Sequence, residues 1–230
     1  MNEIPKLIAP DWDIPSQVVA GCSLRINGIS KSQFKSLNLS SYVGDEFESV
    51  NENRQRLIKI ADMPEEPRWL NQMHGNHVAI NPEIGVKADA AYTNKVGLVC
   101  VVTVADCLPI LFSSDDGKQV AVAHAGWRGL VSGILESTVK TFTCSPKNII
   151  AWIGPSISQS AFEVGSEVRN AFFNNSQDFS TFFNENDKGT WQADLCGIAK
   201  MKLSDFGLRK ITGGDYCTFL EADNFFSYRR

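Results

Sequence analysis

A mixed α/β fold of the layered kind is what this sequence predicts, and three observations predict it. Strand-like and helix-like stretches alternate irregularly rather than in a strict β-then-α rhythm. At least one hairpin is implied, by the turn signal Ser113-Ser114-Asp115-Asp116-Gly117-Lys118 between two β-rich runs. No glycine-rich phosphate loop follows a strand, so neither a dinucleotide fingerprint nor a P-loop marks a doubly wound parallel sheet. The 230 residues are read as one domain, 1–230, and a hydrophobic content of 43 % suffices for a sizeable core without cross-links.

Taken in order, Gln17 to Leu24 reads as a strand after a proline-containing start. Gly44-Asp45 marks a helix start, with Asp45 as N-cap and Glu48 three residues on. Phe47, Val50, Leu57 and Ile58 supply its apolar stripe, and Pro64 and Pro67 end it. Trp69 to Met73 and Val78 to Ile80 read as strand pieces about a turn at Gly75. After Gly97, the run Leu98 to Val104 predicts a buried strand. Leu108 to Phe112 and Gln119 to His124 form the predicted hairpin. A helix follows from about Trp127 past Leu135 and Val139, with Pro146 as its stop. Ile149 to Ile153 is a strand closed by Gly154-Pro155. Two later helices, near Ser166 to Phe173 and Ala193 to Asp205, precede Gly207. The chain then passes through Ile211-Thr212-Gly213-Gly214 to an aromatic tail, Phe225-Phe226-Ser227-Tyr228.

Bulk properties exclude several function classes. The formal net charge is −4 with no long basic cluster, which argues against nucleic acid as a partner. The longest apolar run, Leu98 to Ala105, is far too short to span a membrane. Met1-Asn2-Glu3-Ile4-Pro5 has neither the basic region nor the apolar core of a signal peptide, so a cytoplasmic location is expected. In that compartment the six cysteines are expected to be reduced, most of them as small buried apolar groups.

The chemistry-bearing residues are few. The chain has three histidines, and two of them sit in glycine-flanked turns, His74-Gly75 and His124-Ala125-Gly126. A hairpin centred between residues 115 and 116 puts Cys107 directly opposite His124 at its open end. Opposed residues of antiparallel strands have Cβ atoms roughly 4.5–5.5 Å apart, a suitable bite for two ligands of one ion. His74 supplies a third ligand from a distant turn, which leaves a fourth position open, as in catalytic zinc sites. His77 faces the other way on an extended strand and is not expected to join. A Cys–His dyad, with Cys107 as nucleophile and His124 as base, explains the same residues without a metal. Cys217 reads as a core residue.

Several motifs then carry a resemblance. They are Asn71-Gln72-Met73-His74-Gly75, Ala88-Asp89-Ala90-Ala91-Tyr92-Thr93, Thr103-Val104-Ala105-Asp106-Cys107-Leu108-Pro109 and Ala123-His124-Ala125-Gly126-Trp127-Arg128-Gly129. With Ser36-Leu37-Asn38-Leu39, Asn53-Arg54, Ile153-Gly154-Pro155, Phe162-Glu163-Val164-Gly165 and Phe225-Phe226-Ser227-Tyr228-Arg229-Arg230, they span nearly the whole chain. Together they resemble the laccase-domain family, also called the YfiH-type or multicopper polyphenol oxidase family. The resemblance implies a mixed-sheet α/β/β/α sandwich and a zinc site at His74, Cys107 and His124. It implies phosphorolysis of purine nucleosides (adenosine, inosine and methylthioadenosine), together with adenosine deamination. Other assignments attached to the family are a copper-dependent polyphenol oxidase and a Cys–His hydrolase acting on peptidoglycan precursors. The family usually runs on past the Ser-Tyr-Arg-Arg motif into a final strand, whereas this sequence stops at Arg230, a departure that leaves the metal ligands unaffected.

The residues themselves discriminate among these chemistries. Three histidines cannot build a trinuclear copper cluster plus a blue-copper site, so the oxidase reading is weak even if copper can bind. The H-x-E and P-C-x-x-C signature of base deaminases is absent, so any deamination here is an independent solution. Phosphorolysis needs a cationic cradle, for which Arg54 is the first candidate and Arg128 the second, because a guanidinium fork matches phosphate. Asn38 and Gln72 join them as expected substrate-binding residues. Asp106, beside Cys107, is expected to orient a ligand or act as a base, or else to cap its own turn.

Overall fold

The structure, a computed structural model, describes residues 7–230. The N-terminal stretch Met1–Pro5, read above for a signal peptide, lies outside the described residues. The fold is mixed α/β, with two sheets among the described residues. The larger has six strands in the order β1 (Val78–Ile80), β2 (Ala90–Thr93), β4 (Val120–Ala125), β3 (Leu108–Ser114), β5 (Ile149–Ile153) and β9 (Lys210–Gly213). Its outermost pairs are parallel and its inner pairs antiparallel. The smaller sheet is β6 (Glu163–Val164), β8 (Trp191–Ala193) and β7 (Phe183–Glu185), all antiparallel. Among the described residues five α-helices accompany them: α1 (Phe47–Ile60), α2 (Trp127–Ser132), α3 (Ile134–Val139), α4 (Ser166–Phe173) and α5 (Leu195–Asp205).

Both faces of the central strands are buried, and this decides where the site lies. Leu108, Ile110 and Phe112 of β3 and Ala121, Ala123 and Ala125 of β4 face a large core. That core also contains Leu130, Ile134 and Leu135 of the α2–α3 region and Ile198 and Leu203 of α5. Because side chains alternate along a strand, Val122 and Leu111 point the opposite way. They meet Leu70, Ala79, Ala88, Cys100 and Val102 in a second, smaller core. Residue 124 shares the face of residue 122, so His124 emerges at the end of this second face.

Several expectations are corrected by this arrangement. Leu98–Val104 is not a strand. It is an extended cover over the second face, held by the Arg68 N–H on the Val99 carbonyl and by one isolated bridge between Arg68 and Cys100. Residues 69–73 likewise make one bridge, Asn71 with Lys87, while Val78–Ile80 is the strand β1. Gln17–Leu24 contributes only a bridge between Ile8 and Cys22. Apolar content alone does not make these runs strands: Leu70, Cys100 and Val102 are shielded by lying against the sheet and not by joining it. The single helix from Trp127 is split into α2 and α3 at Gly133, whose φ of 86° ends the first helical turn sequence. Asp45 does not cap α1; Glu46 holds that position without a side-chain hydrogen bond. The Asp45 carboxylate instead accepts from the Ser30 hydroxyl, the Asn38 amide and the Glu46 N–H.

The hairpin register is also corrected. His124 pairs with Pro109, not with Cys107. Strand β3 runs to Ser114, whose N–H donates to the Gln119 carbonyl, so the turn centre lies one residue later than expected. Gly117 is the reason: it adopts φ 68°, and Asp116 ties the loop by accepting from Ser114 Oγ and the Lys118 N–H. Each partner therefore moves by two residues, and a shift of two preserves the face. Cys107, directly before β3, becomes the diagonal neighbour of His124 on the same side, and the two still meet.

Candidate metal centre

His74, Cys107 and His124 converge, with one ligand atom from each lying within 4.8 Å of the others. His124 is buried, Cys107 half-buried and His74 exposed, so the cluster opens to solvent on the His74 side. The two imidazole rings stand edge-to-face with centroids 4.6 Å apart. His77 is exposed and lies outside the cluster. Cys217 is buried and accepts from Ser158 Oγ, as a core position allows.

Asp89, given no role by the sequence reading, organises the group. It is 1 % exposed. Its Oδ1 accepts from His124 Nδ1 at 2.9 Å and from the His74 N–H at 2.8 Å. Its Oδ2 accepts from the Gly75 N–H at 2.8 Å, and the Met73 N–H points at both oxygens. Three successive N–H groups thus form a nest around one carboxylate. The nest holds His74 at φ 60°, a left-handed conformation unusual for a residue other than glycine. Ring orientation is fixed as well. When the His124 imidazole is neutral, Nδ1 donating to Asp89 leaves the Nε2 lone pair for a metal, the usual carboxylate–histidine arrangement of a metal ligand. The signal in the sequence is an acidic residue inside the apolar run Ala88-Asp89-Ala90-Ala91, where a charge survives only if fully partnered.

Close approach requires Gly126. A Cβ there would lie 2.8 Å from Cys107 Sγ and 3.5 Å from His74 Cδ2. The electrostatics follow from the same contacts. Burial pushes the Cys107 thiol up, but hydrogen bonds with His124 and His74 outweigh it and bring the pKa down to about 7. Burial pushes His124 down, but Asp89 and Cys107 raise it to about 9. A thiolate beside two imidazoles is a donor set that suits zinc, and three protein ligands leave a position for water or substrate. All six cysteines are unpaired in this structure.

The other expected site residues lie in separate hydrogen-bonded settings. Arg54, on α1, has its guanidinium 4.1 Å above the Trp69 ring, and its Nε donates to the Leu39 carbonyl at 3.0 Å. Asn38 organises the loop that presents that carbonyl, bonding Ser40 and Asp45. Gln72 clamps Thr103, donating to its carbonyl and accepting from its N–H and hydroxyl. Arg128 is exposed, 4.3 Å over Trp127, and lines a cleft of about 540 Å³ together with Arg229, Glu163 and Glu167. The Asp106 carboxylate accepts from Thr218, Ser227 and Arg229.

Residues 19–230 match the family described as multi-copper polyphenol oxidoreductase laccase. The chain belongs to that family. It is 46 % identical to the purine nucleoside phosphorylase YfiH of Escherichia coli (strain K12), over 98 % of this chain and 93 % of that one. It is 41 % identical to a purine nucleoside phosphorylase of Haemophilus influenzae, over 97 % and 93 % of the two chains. A crystal structure from Neisseria meningitidis, 38 % identical, matches the fold with a TM-score of 0.92 over 98 % of this chain and 93 % of that one. The multi-copper part of the family description has no counterpart in the donor set. His74, Cys107 and His124 form the one metal-competent group found among the described residues, and a multicopper oxidase needs several.

Proposed function

We propose that the chain is a metal-dependent purine nucleoside phosphorylase acting on adenosine, inosine and methylthioadenosine, with adenosine deamination as a side activity. The observation that carries this reading is the open cluster of His74, Cys107 and His124, in which Asp89 holds the His124 imidazole and the His74 backbone. The names of the relatives, which match over nearly full length, supply the substrate class. The donor set favours zinc over copper as the resident metal, which when bound acts as a Lewis acid on a substrate oxygen. The six unpaired thiols fit a reducing, cytoplasmic setting.

In this reading each residue has a defined task. Asp89 fixes the His124 tautomer and the His74 backbone. Arg54 binds the attacking phosphate: Trp69 below it and the Leu39 carbonyl on Nε hold its plane still, leaving the two terminal nitrogens as a fork. Arg128 is the second candidate. Asn38 acts through the Leu39 carbonyl, and Gln72 secures the chain that leads to His74.

The test is product analysis. Adenosine with phosphate should yield adenine and ribose 1-phosphate. Arg54→Ala should reduce phosphate-dependent cleavage by roughly two to three orders of magnitude, if the lost charge-assisted contact is worth about 3–4 kcal/mol. Metal content should not change. Normal turnover with an unaltered phosphate KM in that variant would remove Arg54 from the site. One observation favours a second reading. The line Asp89–His124–Cys107, with the thiol near pKa 7, is also an acid–base–nucleophile relay. A hydrolase of that kind keeps its activity after metal removal and loses it on alkylation of Cys107.

A further inference from the structure

The segment before Cys107 is held in an unusual way. Asp106 adopts φ 87°, a left-handed conformation that is unfavourable for a residue with a side chain and persists only where the surroundings impose it. The surroundings come from the far end of the chain. Asp106 Oδ1 accepts from Thr218 Oγ1 at 2.7 Å, and Oδ2 accepts from Ser227 Oγ at 3.0 Å and from the Arg229 N–H at 2.9 Å. The Asp106 carbonyl accepts from the Ile157 N–H at 3.0 Å. The tail is anchored in its turn. Arg230 donates to the carbonyls of Thr218, Phe219 and Phe225, and Arg25 donates to those of Ala222 and Phe225. The next residue after this kink is Cys107, whose Sγ must pass Gly126 to reach the histidines.

We propose that Asp106 is a positioning residue through which the C-terminal segment, residues 218–229, aims the Cys107 thiol at His74 and His124. The inference rests on the metal-site reading above. A buried carboxylate with three donors from one distant segment is an orienting device; as a proton carrier it would have to surrender those donors. Its role is therefore exerted through the backbone of residue 106. Asp89 fixes the two histidines, and Asp106 fixes the cysteine, so each kind of ligand has its own carboxylate.

The test uses the full chain, with zinc affinity measured by competition against a chromogenic chelator, and with cobalt substituted to reveal the thiolate-to-metal absorption band. Thr218→Val with Ser227→Ala removes two of the tail's donors while leaving residue 106 intact. The proposal expects a folded protein with zinc affinity lowered roughly tenfold to a hundredfold, the usual range for orienting partners, and a weakened thiolate band. Ser227→Ala alone, at a half-exposed position, gives a smaller shift in the same direction and serves if the double variant does not fold. Asp106→Asn, which keeps the shape and one acceptor, should restore part of the affinity lost in Asp106→Ala. Unchanged zinc affinity and an unchanged thiolate band in folded Ser227→Ala and in the double variant would overturn the proposal. Failure of the wild-type protein to bind zinc would instead overturn the metal-site reading.

Discussion

At Asp89 a single carboxylate carries more of the site than any ligand does. Burial pushes its pKa up, but hydrogen bonds from His124, Gly75 and His74 outweigh that and hold it below the ordinary carboxylate range. A depressed folded value means that this contribution to stability is complete above the unfolded pKa of about 3.9 and is lost as pH falls through the folded value. Acid unfolding of the metal-free protein should show that contribution intact at pH 5. Asp89→Asn places an amide N–H against a nest of N–H donors. It should cost about 2–3 kcal/mol of stability and lower zinc affinity roughly tenfold to a hundredfold, read by thermal unfolding and chelator competition. Unchanged values of both would remove Asp89 from the site. The clustering of His74, Cys107 and His124 was legible at this scale because histidine is scarce here and two copies sit in glycine-containing turns. Asp89 was not legible, because its significance lies in backbone donors from a loop that only the fold brings to it.

The β3–β4 hairpin decides whether Cys107 and His124 can meet. Alternation of side chains along the strands was readable, and it survives the slip of the turn from residues 115–116 to 116–117. The exact partner was not readable, because it depends on which residue takes the left-handed position, and Gly117 takes it. Long apolar runs misled for a different reason: 98–104 is half-buried, and its shielding comes from lying on the sheet. Gly126 supplies this scale's prediction. Its φ of −72° and ψ of 169° are open to alanine, so Gly126→Ala leaves the backbone unstrained. The added Cβ nevertheless meets Cys107 Sγ at 2.8 Å and must displace it. Metal ligation tolerates shifts of only about 0.2 Å. Elemental analysis should therefore find most of the metal lost, while the unfolding midpoint of the metal-free form stays near that of the metal-free wild type. Full metal content would show that the thiol has room to move.

For the whole molecule, the mixed α/β class followed from irregular alternation of elements, and β5 and α4 begin and end where the sequence placed them. The two-faced burial of the large sheet was not foreseeable, because its second cover is irregular chain. The three side chains of the cluster come from a loop before β1, the entry to β3 and the end of β4, so the cluster forms only when the sheet does. We expect the described chain to unfold as one domain, in a single calorimetric transition. Chelation should lower its midpoint, since saturation at a hundred times Kd contributes about 2.7 kcal/mol. Two separate transitions would contradict the single-domain reading. The most direct test of the central claim, that one metal ion at His74, Cys107 and His124 carries nucleoside phosphorolysis, is a stoichiometric zinc titration. Metal-free protein is supplied with adenosine and phosphate, and adenine release is measured after each addition. The account predicts no activity without metal and a linear rise that saturates at about one equivalent per chain, the stoichiometry of a three-ligand catalytic site. Full activity before any metal is added, or a rise that continues over several equivalents, would contradict it.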